Sequence, residues 1–260
     1  MPLNYTTYLQ IEELLDLQHP RSSPAEHDEM LFIVIHQVYE LWFKLMLQEF
    51  EKVCADFREL RLFEVIHTFK RCRTIMKTLV GQLDILETMT PMSFSSFRQR
   101  LETASGFQST QFREFEFLLG YKRPQVMKYC AEGTPAYEAM KKRLHAPSII
   151  DHLYDFLEAN GVEIPAAARA KDPTAMGETY EEIEDGVYML YTTRPDIAIL
   201  FELMTDFDEG IQEWRYRHVK IVERTIGSKH GTGGSPGVEF LKKSLFTPVF
   251  ADLWTIRHRL

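Results

Sequence analysis

Cysteine is scarce in this chain: Cys54, Cys72 and Cys130 are the only three, widely spaced and without a CxxC pair. An odd, scattered set excludes a disulfide framework or a cysteine-zinc site and fits reduced, mostly buried thiols. Excess positive charge is lacking as well. The formal charge is -8, whereas a general nucleic-acid or membrane-surface binder needs a basic field to attract phosphates. No run approaches the roughly 18 to 20 uncharged apolar residues that span a bilayer. The start Met1-Pro2-Leu3-Asn4 has no basic region followed by an apolar one, so the expected location is cytoplasmic. Also missing are useful lengths of period-2 alternation, hairpin dipeptides between apolar runs, and any fixed-length repeat, which removes sheet and solenoid architectures.

What is present is apolar and aromatic material in quantity. The hydrophobic fraction is 45% and the aromatic fraction 12%, with 18 Phe and 11 Tyr, ample for a dry core or an enclosed ligand cavity. The fold class is all-α. After the punctuation Pro20, Ser22, Ser23 and Pro24, the segment from Glu26 to about Leu60 has no Pro or Gly and reads as a long helix. Its Met30–Ile35 stretch is apolar all round, which places it in the interior. A second long helix follows from the spacing of Leu62, Val65, Ile66, Phe69, Cys72, Ile75, Met76, Leu79, Leu83 and Leu86. Thr90-Pro91 ends it, and Thr103-Ala104-Ser105-Gly106-Phe107 reads as a tight turn. Further helices are expected over 109–119, 135–145, 148–160, 176–192 and 196–226, with a loop at 162–174 and a helical tail from 238. Ser148 is the expected N-cap of its helix, and Gly161 and Gly227 are expected stops.

Among nine histidines, two stand out by context. His36 shares a helical face with Phe32, Tyr39 and Phe43, an imidazole in an aromatic wall. A polar ring there either meets an internal partner or awaits a ligand donor such as an indole N–H. His218 belongs to the stripe Ile211, Trp214, His218, Ile221, Val222, Thr225, with Arg215 and Arg217 expected to point elsewhere. Such a stripe serves as core, or as the dry wall and single imidazole that an axial haem ligand requires. Arg98, after Phe94 and Phe97, is either a surface arginine or a fork that clamps a carboxylate. Residues 228–237 form the only Gly-rich run. They lack a phosphate-loop order and read as a linker or as a mobile lid carrying Thr232. His27-Asp28-Glu29 is better explained as N-terminal helix charge than as a metal site, because adjacent helical residues diverge.

Taken together, His27 through Gln37 with Glu40-Leu41-Trp42, then Phe97-Arg98, Ser105-Gly106-Phe107-Gln108-Ser109, Trp214-Arg215-Tyr216-Arg217-His218 and Lys229-His230-Gly231-Thr232-Gly233-Gly234 closely resemble the tryptophan 2,3-dioxygenase family. The resemblance spans nearly the whole chain. It implies one large helical domain, residues 26–260, around a pocket for haem b, ferrous in the active form. It also implies a homotetramer in which residues 1–25 serve a neighbouring subunit's active site through Tyr5, Tyr8 and Leu9. The implied activity is cleavage of the indole C2–C3 bond of L-tryptophan, or a close indole analogue, with O2 to give N-formylkynurenine, in tryptophan catabolism.

By the same resemblance His218 is the iron ligand, with Trp214 beside the cofactor. His36 orients the indole N–H rather than deprotonating it. Phe32 packs on the indole, Arg98 with Phe94 nearby binds the carboxylate, Ser105 and Gly106 sit at the oxygen side, and Thr232 lies on the closing loop. Phe94 replaces a hydroxylated aromatic found in some relatives, Thr103 stands where Pro is expected, and His230 and Pro236 depart from the family's loop. Three alternatives stand beside this reading. One is a haem-dependent monooxygenase giving an oxindole or hydroxylated product from tryptophan or a methyltryptophan in a biosynthetic pathway. The others are a haem-binding sensor or carrier without turnover and a purely structural helical protein.

Overall fold

The computed structural model describes residues 3–170, 172, 174, 177–229, 231–232 and 237–260. His230, Gly233, Gly234 and Pro236 lie outside the described residues, and so do the expectations attached to them. In chain order the helices are α1 (Tyr5–Leu9), α2 (Ile11–Leu15), α3 (His27–Arg58), α4 (Leu62–Leu86), α5 (Pro91–Arg98), α6 (Thr110–Leu118), α7 (Pro135–His145), α8 (Ile149–Ala159), α9 (Ala166–Ala170), α10 (Glu181–Thr193), α11 (Pro195–Ile226), α12 (Val238–Lys242) and α13 (Ala251–Thr255). Short 3-10 turns cover Gln99–Leu101, Gly106–Gln108, Pro124–Tyr129 and Ile256–Arg259. Among the described residues there is no strand.

The three long helices make the frame. α4 lies between α3 and α11, α6 and α8 cover α3, and α10 closes over α11. The 3-4 spacing of α4 is what buries Val65, Phe69, Cys72, Met76, Leu79 and Leu83 on one side. Phe50 of α3 is the hub: its ring centroid lies 5.5 Å from Phe69 of α4, 5.0 Å from Phe207 of α11 and 5.7 Å from Phe115 of α6. Each such fully buried ring contributes about 1.5–3 kcal/mol of transfer free energy, so aromatic packing across four helices fixes their spacing. The C-terminal segment is tied to the frame by Asp208, which accepts hydrogen bonds from the Val249 and Phe250 amides and from Trp254 Nε1.

Several expectations need correction. Met30 and Val34 are exposed, 42% and 40%, and only Ile35 of that apolar stretch is buried. The helix turns Phe32, Ile35, His36 and Tyr39 inward, and its opposite face is left uncovered within one chain. α3 is the one described helix long and apolar enough to cross a bilayer by length and composition, yet it is built into the frame along its length. The expected loop at 162–174 contains α9, and α10 starts at Glu181 rather than 176. Ser148 does cap α8, in a reciprocal capping box with Asp151.

At the other end of the chain, α1 and α2 bury none of their residues. The segment that follows is anchored by the buried Glu29 carboxylate, which accepts from the Arg21 and Ser22 amides at 2.7 and 2.9 Å and from the Ser22 hydroxyl.

Candidate active site

One cavity opens between α3, α4, α5, α6, α11 and the residues 104–107, 231–232 and 237–244. It is a half-open cleft whose lining is mainly aromatic and aliphatic, with a few polar side chains set into it. From α3 come Phe32, His36, Tyr39, Glu40 and Phe43, the inward side of one helix at 3-4 spacing. The Phe32 and His36 rings lie 4.1 Å apart, and His36 Nδ1 lies 2.7 Å from the Phe32 carbonyl oxygen. A carbonyl can only accept, so Nδ1 carries the proton and Nε2 keeps a lone pair. Burial pushes the His36 pKa down, against the opposing help of the Phe32 carbonyl and the Glu40 charge. The two sequence alternatives for His36 therefore coexist: one nitrogen has an internal partner, and the other remains an acceptor.

α5 begins with Thr90 as N-cap and Pro91 in its first turn, which is the ordinary start of a short helix. It brings Phe94 and Arg98 to the cavity and backs them with the fully buried Phe97. Phe94 and Phe97 both sit 5.7 Å from Phe32, ring centroid to centroid. The Ser105-Gly106 turn proves to be a capped 3-10 turn: Ser105 Oγ accepts from the Phe107 amide and the Ser105 amide donates to Gln108 Oε1. The Thr232 hydroxyl donates to the Ala104 carbonyl, so the Gly-rich segment touches this turn rather than standing clear of it.

α11 supplies Trp214, His218, Val219, Ile221, Val222 and Thr225. Trp214 and His218 stack with centroids 5.1 Å apart and planes 5° from parallel, while Trp214 meets Tyr39 and Phe43 of α3 edge-on. The His218 pKa is lowered to about 4, chiefly by burial and then by His36 and Arg113. The ring is thus a neutral imidazole at physiological pH, as an axial ligand must be.

A metal held here needs further ligands. Among the described residues no three His, Cys, Asp or Glu side chains converge, so His218 offers an iron one ligand and a macrocycle would supply the others. A single neutral imidazole on an apolar wall lining this cleft fits haem.

The cavity thus gathers Phe32, His36, Phe94, Arg98, Ser105, Gly106, Trp214, His218 and Thr232. It does not include Tyr5, Tyr8 or Leu9, which are exposed and outside this chain's own cavity. Arg217 points away, to Asp84 at 2.6 Å and Glu87 at 3.0 Å. Arg215 does not: it is buried and lines the cavity. Arg113, Glu116 and Arg123 also line it and escaped sequence reasoning. The only signal for them is a polar pair, Arg113 and Glu116, inside the aromatic helix Phe112-Arg113-Glu114-Phe115-Glu116-Phe117.

The comparisons with known proteins agree with one another. A family model described as tryptophan 2,3-dioxygenase matches residues 1–152 and 179–260. The chain is 49% identical over 255 residues to a tryptophan 2,3-dioxygenase of Herpetosiphon aurantiacus, covering 98% of this chain and 97% of that one. It is 45% identical to one of Anaeromyxobacter dehalogenans, covering 99% and 96%. The identity to one of Bordetella pertussis is 38%, covering 98% and 90%.

Proposed function

The chain belongs to the tryptophan 2,3-dioxygenase family, and from that premise we propose that it is a cytoplasmic haem enzyme that opens the indole ring of L-tryptophan with O2, giving N-formylkynurenine. The observation that carries the reading is the pair of neutral imidazoles lining one cavity: His218 on the apolar α11 wall as the proposed axial ligand, and His36 with Nε2 free to accept. Haem, when bound, supplies the iron that activates O2 for addition across the indole C2–C3 bond.

The chain's own residues do the binding and orienting. His36 Nε2 accepts the indole N–H and positions the ring, which is too weak an acid for an imidazole to deprotonate. Phe32 packs on the indole, with Phe94 and Phe97 behind it. Arg98 clamps the substrate carboxylate. Ser105 and Gly106 shape the oxygen side, and Thr232, bound to the Ala104 carbonyl, closes the mouth against water. Holding the indole and the oxygen side in one geometry converts an encounter of separate reactants into a positioned one. The proposed assembly is a homotetramer in which Tyr5, Tyr8 and Leu9 reach a neighbour's active site.

The test is product mass. Ferrous, haem-loaded protein given L-tryptophan and labelled O2 is expected to release a ring-opened product carrying both labelled atoms. A product with a single labelled atom would instead identify a monooxygenase, and the absence of any product would reject turnover of tryptophan.

A further inference from the structure

The cavity lining also carries a second polar group besides His36 and Arg98, made by Arg113, Arg123 and Arg215 around Glu116. Arg113 donates to Glu116 at 2.5 Å, and Arg123 reaches both Glu116 oxygens at 2.7 Å. Arg215 reaches only carbonyls, of Thr247 at 3.0 Å and of Ser244 at 3.5 Å. Arg113 and Arg215 are 5% and 4% exposed, and Arg113 Nε, Arg123 Nε and both Nε and Nη2 of Arg215 are buried without a hydrogen-bond partner. Asp208, the next carboxylate within electrostatic reach of Arg215, already binds the Val249 and Phe250 amides and Trp254.

Three guanidiniums thus stand against one carboxylate in a largely buried wall. Unpaired buried charge is costly, and a fold that retains it needs a compensating anion. The aromatic faces around the wall soften the cost without neutralising it: Arg113 lies over Phe107 at 4.5 Å, Arg123 over Tyr121 at 4.3 Å and Arg215 over Tyr121 at 5.2 Å.

We infer that this wall is a carboxylate-binding subsite of the cavity, seating the acid side chains on the edge of the macrocycle whose centre His218 holds. The inference rests on the haem reading for its ligand and on the charge imbalance for its existence. Arg113, Arg123 and Arg215 line the same cavity as His218, so the arginines and the imidazole can act on one bound molecule. Arg98, on α5, is the arginine proposed above for the substrate's carboxylate, so the two anionic groups are assigned to different elements, α5 for one and α6 with α11 for the other.

The experiment compares haem with its dimethyl ester, which lacks both negative charges. The rate at which each leaves the full-length protein for an apomyoglobin acceptor is followed at the Soret band. A charge-assisted contact predicts that the ester leaves about tenfold faster or more, and that Arg123→Gln, at the least buried of the three arginines, brings the two rates together by accelerating haem alone. In parallel, succinate is titrated into the haem-free chain. A rise in melting temperature for the wild type but not for Arg123→Gln, with equal rates for acid and ester, assigns the subsite to a free small carboxylate. Equal rates together with no succinate effect overturn the subsite. If Arg123→Gln does not fold, Arg123→Lys and the wild-type acid-to-ester ratio decide the question. A chain that binds no haem fails the proposed function, while the succinate arm still tests the wall.

Discussion

His36 spends one ring nitrogen on the Phe32 carbonyl and keeps the other, whereas His218 is stacked on Trp214 and held neutral by burial. The two imidazoles therefore differ in what their removal takes away. His218→Ala is expected to lose stable haem binding, measured as Soret absorbance per chain. His36→Ala keeps haem and slows tryptophan turnover. Normal haem content in His218→Ala would falsify the axial assignment. Arg98→Ala is expected to weaken tryptophan binding by about 1.5–3 kcal/mol, the scale of a hydrogen-bonded charge. An unchanged Michaelis constant would rule out the carboxylate role.

The thiols carry a separate prediction, in the alkaline range. Burial pushes Cys54 from 9.0 to about 12 and Tyr39 from 10.0 to about 12. Between pH 9 and 12 the folded chain holds protons that the unfolded chain releases, so the free energy of unfolding falls as pH rises through that window. Denaturant titrations at pH 8, 10 and 11.5 check the direction. At pH 8 a thiol reagent should find the partly exposed Cys130 in the native state and all three cysteines after unfolding.

At the scale of elements, the long helices were legible because their signal is periodic and repeated. α4 runs over the whole of its expected span, and α3 and α11 match theirs to within a residue or two. The turn at Ser105 was legible for a different reason, the small residues that favour local capping. Close approach between elements was not legible. Gly186 sits in mid-α10, where a glycine weakens a helix, yet a Cβ there would fall 2.3 Å from Val162 Cγ1 and 2.8 Å from its Cβ. The branched Val162 side chain has little room to yield. Gly186→Ala is therefore expected to destabilise the chain by about 1–3 kcal/mol despite the better helix former. A rise in melting temperature would show that α10 and the segment after α8 can separate.

For the whole molecule, what matters is what one chain leaves uncovered. Leu3, Tyr5 and Tyr8 are about as exposed as free side chains, at 75%, 75% and 69%, and α3 shows Met30, Val34 and Leu41 to solvent. Apolar area of this kind on a single chain calls for a partner, and in the proposed homotetramer that partner is a second copy. Light scattering is expected to return four times the 30.5 kDa chain mass. The double change Tyr5→Ala and Tyr8→Ala should lower turnover while leaving haem per chain unchanged. Full turnover in that variant would remove the N-terminal segment from the active site.

The sequence by itself determined the helical class, the long helices and the two histidines with their aromatic neighbours, because periodicity and local spacing are properties of one element at a time. Only the tertiary structure decided that Arg215 turns into the cavity, that Arg113 and Arg123 close on Glu116 beside it, and that Met30 and Val34 of the apolar stretch of α3 face outward. Burial and charge balance are set by which elements meet, and residues from α6, α11 and the segment after α6 become neighbours only when the chain has folded.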